Sequence, residues 1–172
     1  MRAGARMGDE ETSRLVAAAQ QGDVFAMDAL ITELTPYVGR ICASVALEHA
    51  ADAMQEVFIA VFRGLRGLRT PEALYGWVRV IAVRESLRVA RRHRREVAVP
   101  DLADLPADGD AALARDVADV LRRLGPEQRA VLVLRHVEGL DEQEVARLLR
   151  VPVGTVRSRL FRARQSFRRA WG

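Results

Sequence analysis

"LDEQEVARLLRVPVGTVRSRLFRAR", Leu140–Arg164, holds two helices and the turn between them, each readable from residue types. Asp141 and Glu144 stand at the reciprocal capping-box spacing, and Leu140 and Val145 occupy the hydrophobic-staple positions. A short helix therefore starts at Glu142, with Val145, Ala146 and Leu149 facing inward. Arg150-Val151 forms a turn, and a second helix begins near Pro152. There Val156, Leu160, Ala163 and Phe167 recur at i, i+4, i+7 and i+11, which makes one buried stripe. Arg157, Phe161, Arg164 and Arg168 form the adjacent stripe, with Ser158, Arg159 and Arg162 beside it. A short helix, a tight turn and a longer helix with an Arg-rich outer face describe a helix-turn-helix whose second helix enters the major groove. An exposed Phe161 among arginines suits a thymine methyl or a sugar edge. A merely solvated basic helix would explain the charge, but not the cap, the turn and the two-faced pattern together.

The remaining charge is organised in blocks. The chain has 172 residues and a net charge of only +4, so distribution matters more than the total. Arg84 to Arg95 carries six Arg and one acid, Glu96 to Asp119 carries seven acids and one Arg, and Arg157 to Arg169 carries six Arg and no acid. Two basic segments flanking an acidic one suit a protein that grips a polyanion at two places. All 27 basic residues are Arg. Guanidinium is permanently charged and can grip phosphate or guanine with two hydrogen bonds. The single cysteine, Cys42, excludes an intramolecular disulfide and a cysteine-rich zinc site, and its apolar surroundings predict a buried thiol. The N-terminal "MRAGARMGDEE" lacks a signal-peptide core, and no apolar run approaches transmembrane length, so a cytoplasmic protein without membrane insertion is expected.

Periodicity along the chain is helical, with no alternating run long enough for a strand. Helices are predicted over Thr12–Gln21, from the Asp23 cap through "VFAMDALITELTPYVGRICASVA" with a kink or break at Pro36, over Ala50–Leu68, and from Thr70-Pro71 to about Arg95. "VAVPDLADLPADGD", Val97–Asp110, reads as a linker. Helices resume over Ala111–Leu124, break at Gly125-Pro126, and stop at Gly139. The expected fold is all-α: an N-terminal helical bundle over 10–96, an acidic linker over 97–111 and a C-terminal helix-turn-helix domain over 112–172.

"LGPEQRAVLVLRHVEGLDEQEVARLLRVPVGTVRSRLFRAR", Leu124–Arg164, resembles region 4 of the extracytoplasmic-function (ECF) sigma factors of bacterial RNA polymerase. The resemblance implies that Arg157, Ser158, Arg159, Phe161 and Arg162 read the −35 promoter element. Asp141 stands where the family often has Ser or Thr and caps equally well; Arg150 stands where Gly is usual.

The third helix, "ADAMQEVFIAVFRGLRGL", has two apolar stripes. Met54, Val57, Val61, Leu65 and Leu68 can face a core, while Phe58, Ile59 and Phe62 lie on another side near Asp52, Gln55 and Glu56. Such a helix is either wholly buried or has a second partner. "DAMQEVFIAVF" resembles sigma region 2.2, which docks on the β′ clamp helices of core RNA polymerase. By position Asp52, Gln55, Glu56, Phe58 and Phe62 carry over as the polymerase-binding surface. His49, Asp52 and Glu56 at i, i+3 and i+7 resemble metal-ligand spacing, but the sequence shows no second cluster in support, and no metal or other cofactor is expected. The fourth helix begins apolar with Leu74, Trp77, Val78 and Ile81 and turns basic. It resembles regions 2.3 and 2.4, which open the −10 element and hold its single strand, implying Trp77, Arg84, Arg88, Arg91 and Arg92 as −10 residues. Read from the residues alone, Trp77 belongs to the core in preference to a base platform. Arg84 stands where the family often has Asn, and Arg88 lies near a usual acid.

The resemblance covers Leu15 to Ala170 and implies a transcription initiation factor. Its partners would be core RNA polymerase, promoter DNA and, by family habit, an anti-sigma factor. No nucleophile–base pair, phosphate loop or metal cluster suggests an enzyme. A stand-alone helix-turn-helix regulator leaves the two-sided third helix unexplained, and a recombinase or nuclease with a helix-turn-helix tail lacks a catalytic cluster.

Overall fold

The computed structural model describes residues 9–96 and 120–171, all of them helices, turns and short connections without a strand. The acidic linker and most of the helix expected from Ala111 lie outside the described residues. Helix α1 spans Asp9–Gln20, α2 Val24–Ala46, α3 Ala50–Gly64 and α4 Leu74–Glu96. After a helical stretch at 120–123 come α5, Pro126–Leu132, a π-helical turn, Val133–Val137, then α6, Glu142–Leu149, and α7, Val153–Trp171. None of the described helices is long and apolar enough to cross a membrane. Packing divides the chain into two compact units, residues 1–43 with 48–86, and 44–47 with 87–172.

In the first unit Gly22, at φ +95°, ends α1, and Asp23 Oδ1 accepts from the backbone N–H groups of Phe25 and Ala26 to start α2. Of the kink or break expected at Pro36, the break does not occur; α2 runs through it. The carbonyl that Pro36 cannot serve belongs to Thr32, an exposed residue where water can take over. Thr35 meanwhile donates its hydroxyl to the Ile31 carbonyl at 2.7 Å. The core gathers Val16, Leu30, Leu34, Val38, Ile41, Val57, Val61, Leu65, Leu74 and Val78, each at most 1% exposed. Each such side chain contributes about 1.5–3 kcal/mol by leaving water. Cys42 is buried as predicted, with the Ser86 hydroxyl donating to its sulfur at 3.4 Å. The predicted third helix divides at Gly64 into α3 and a 3₁₀ turn, Leu65–Gly67. The side-chain amide of Gln20 donates to the carbonyls of Leu65 and Leu68, at 2.9 and 2.8 Å, and ties that turn to α1. Thr70 makes no side-chain cap; a 3₁₀ turn, Pro71–Ala73, leads into α4 instead.

In the second unit, Val120, Leu124, Ala130, Val131, Leu134, Val145, Val156, Leu160 and Ala163 form the core. Arg129 is only 6% exposed. Its guanidinium donates to the carbonyls of Val45 at 2.8 Å, Leu124 at 2.7 Å and Leu121 at 3.3 Å. All three lie at or next to helix ends, where carbonyls lack intrahelical partners; the Leu121 carbonyl also accepts from the Leu124 N–H at 3.1 Å. The π turn shows in the bond from Glu138 N–H to the Val133 carbonyl at 3.0 Å, five residues back.

Candidate nucleic-acid interface

The helix-turn-helix is built as its residue types demand. Asp141 Oδ1 accepts from the Glu144 N–H at 2.8 Å, and Glu144 Oε2 accepts from the Asp141 N–H at 2.7 Å. Helix α6 begins at Glu142 and buries Val145, Ala146 and Leu148; Leu149, expected inside, is half-buried. Eight residues give the helix room for little more than two turns, so the inward stripe ends on whichever leucine the turn rotates under α7. At the far end the Val151 N–H bonds to the Ala146 carbonyl at 3.0 Å and the Arg150 N–H to the Arg147 carbonyl at 3.3 Å. This is a Schellman motif, and it places Arg150 in the left-handed region at φ 54°, ψ 47°. A non-glycine residue there costs roughly 1 kcal/mol, which explains why Gly suits the position.

Helix α7 turns Val156, Leu160 and Ala163 inward, at 0%, 3% and 0% exposure. Phe167 shares their spacing, but its side chain lies outside the described residues. Arg157, Ser158, Phe161 and Arg162 are exposed, Phe161 by 61%, and Arg159 is half-buried. Ser158 donates its hydroxyl to the Thr155 carbonyl at 3.0 Å. The Nε of Arg157 donates to Glu142 Oε2 at 2.7 Å.

Two acids at this face were not picked out from the sequence. Glu142 lies fifteen residues before its partner, beyond any local pairing rule. Glu127, at the start of α5, pairs with Arg91 Nε at 2.7 Å. Burial pushes the Glu127 carboxyl up, but the Arg91 hydrogen bond, a backbone N–H and the charges of Arg91 and Arg159 outweigh it and hold it below the usual carboxylate value. His136 is held below the usual imidazole value by desolvation, with the charges of Arg164 and Arg135 adding to it.

On the first unit, α3 buries Ala53, Val57 and Val61. Asp52 and Gln55 are exposed, and Glu56 and Phe58 are half-buried. Ile59 and Phe62 are 38% and 63% exposed. The second apolar stripe thus reaches solvent instead of being wholly enclosed. Trp77 is half-buried against α3: a Cβ on Gly64 would lie 2.9 Å from its indole Cζ2. Along α4 the candidate cations Arg84, Arg88, Arg91 and Arg92 are all exposed. A shallow depression lined by Arg91, Arg94, Pro126 and Glu127 lies within the second unit.

Residues 30–96 match the family described as Sigma-70 region 2, and residues 114–167 match Sigma-70, region 4. The RNA polymerase sigma-H factor of Pseudomonas aeruginosa is 33% identical, with 94% of each chain covered. The ECF RNA polymerase sigma-E factor of Haemophilus influenzae is 31% identical, over 88% of this chain and 90% of the relative. Among solved structures, the fold is similar to the sigma factor RpoE of Bartonella quintana, in complex with the anti-sigma factor NepR. The TM-score is 0.65 at 22% identity, over 81% of this chain and 94% of that one. It is also similar to CnrH, in complex with the cytosolic domain of CnrY, with a TM-score of 0.59 at 24% identity, over 91% of this chain and 94% of that one. With both sigma-70 regions matched in order and relatives a third identical along nearly its whole length, the chain belongs to the ECF sigma factors, the initiation factors that direct RNA polymerase to promoters.

Proposed function

We propose that this sigma factor divides its work among three surfaces. The outward face of α7, Arg157, Ser158, Arg159, Phe161 and Arg162, reads the −35 element as duplex. Trp77, Arg84, Arg88, Arg91 and Arg92 hold the −10 element as single strand. Asp52, Gln55, Glu56, Phe58 and Phe62 on α3 engage the β′ clamp helices of core polymerase. The observation that carries this is the split of α7 into a fully buried stripe and an exposed face of arginines around Phe161, held on a capped helix and a Schellman turn. Such a face meets both phosphate and base edge.

Strand separation costs about 1.4 kcal/mol per base step in lost stacking. Cations along a helix repay it through phosphate contacts, and planar side chains through stacking on unpaired bases. The half-exposed Trp77 offers an indole edge while its packing on Gly64 fixes the ring. An anti-sigma protein that covers these surfaces is the regulator proposed here, supported by the similar structure of RpoE in complex with the anti-sigma factor NepR.

The test is reconstitution with sigma-free core polymerase on a library of upstream regions. Promoter-specific transcripts that depend on both protein and core are expected. Equal promoter binding by the protein alone, with no transcript on any template, would mean a stand-alone helix-turn-helix regulator.

A further inference from the structure

Three acids cluster at the start of α6, immediately beside a helix proposed to lie on DNA. Two of them, Asp141 and Glu144, are consumed by the capping box. The third, Glu142, has no part in that box and turns across to α7, where its Oε2 accepts from Arg157 Nε at 2.7 Å. The side chains are 35% and 69% exposed, so the pair adds little to stability. A carboxylate beside a phosphate-binding face also opposes DNA binding unless it serves some other end.

The atoms used indicate that end. Glu142 takes the inner nitrogen of the guanidinium and thereby fixes the plane of the group. The two terminal nitrogens are left as a fork for another pair of acceptors. That fork matches the O6 and N7 acceptors of guanine in the major groove. An arginine free to swing would meet any phosphate; one held by its Nε presents a single edge in a single direction.

We infer that Glu142 is a positioning residue for promoter recognition: it holds Arg157 so that the Nη1/Nη2 fork reads one guanine of the −35 element. The inference rests on the assignment of α7 as the −35 reader and adds to it a residue on the other helix. Glu142 touches no base itself; specificity at one base pair is shared between two helices.

The experiment uses holoenzyme reconstituted from the full chain and core polymerase. Competition binding is measured at one salt concentration on promoters randomised across the −35 element. The wild type should prefer guanine at one position by about tenfold or more. Arg157→Ala and Glu142→Ala should each reduce that preference to within about threefold and leave the other positions unchanged. Glu142→Gln keeps an oxygen that accepts from Nε and should retain most of it. The double variant should discriminate no worse than Arg157→Ala, because the two residues act as one unit. If Glu142→Ala instead tightens binding to every sequence alike with the guanine preference intact, Glu142 only repels phosphate and the positioning role is wrong. If Arg157→Ala alters no base preference at all, Arg157 is not a reader, and the underlying assignment fails with it.

Discussion

Arg150 holds a left-handed conformation that glycine adopts without steric cost, at the hinge of the helix-turn-helix. Arg150→Gly relieves the Cβ conflict but loosens the unfolded chain, so the expected net gain in stability is below about 1 kcal/mol. Chemical denaturation measures it. The same variant reports on DNA: if the guanidinium meets a phosphate, the slope of log affinity against log salt falls by about one. Arg129 is the opposite kind of residue, buried and fully engaged. Arg129→Lys keeps the charge but not the fork that reaches three carbonyls. It should cost about 2–3 kcal/mol in urea unfolding, with far-UV helicity retained. Burial raises the Cys42 thiol above its usual value, and the hydrogen bond from Ser86 only partly offsets this. The thiol was recognisable from its apolar neighbours. The role of Arg129 was not, because one acceptor, the Val45 carbonyl, is distant in the chain and the other two are backbone carbonyls that no side-chain pattern marks.

Helix ends and helix contacts carry the next set of expectations. Gly64→Ala would put a methyl 2.9 Å from the Trp77 indole, and a rigid half-buried ring cannot yield cheaply. A loss of about 1–3 kcal/mol is expected, with a shift in tryptophan emission as the ring is displaced. The Arg91–Glu127 pair joins α4 to α5 and gives a pH signature. Because the folded carboxyl is held below its ordinary value of 4.5, the stabilisation is present above that pH. It fades as pH falls through the depressed folded value. The stability difference between wild type and Glu127→Gln should therefore be present at pH 7 and shrink progressively below about pH 4.5. A difference that stays constant to pH 3 would show that the carboxylate is not what stabilises. The capping box, the Asp23 cap and the start of α6 were all visible in the residue order, since caps are local chemistry. That Pro36 causes no break in α2 was not settled by the residue order, because it depends on which side of the helix meets water.

For the chain as a whole, the proposed function rests on two distributions: apolar surface on α3 and arginine on α4 and α7. Phe62 is largely exposed while Phe58 is half-buried. Phe62→Ala should leave the melting temperature nearly unchanged and weaken core polymerase binding by tenfold or so. Phe58→Ala should lower both. Equal loss of stability from the two changes would mean that neither ring is free to dock. The all-helical class and the exposed Phe161 followed from periodicity, and the helix-turn-helix from periodicity together with the cap and turn residues. Where Glu127 and Glu142 sit did not, since both meet their arginines only after the helices fold together.

One consequence concerns how chain length is counted through the C-terminal domain. The turn at Val133–Val137 holds one residue more than an α-helical turn of the same rise. Ala130, Val133 and Leu134 face the core in ordinary helical phase, and Val137 would be next in that rhythm. It is instead 65% exposed. The wide turn has shifted the phase and swung a valine into solvent; Leu140, buried beyond the helix end, follows the turn at Gly139, φ +71°. Comparisons that count strict helical periods through this segment will fall out of step here.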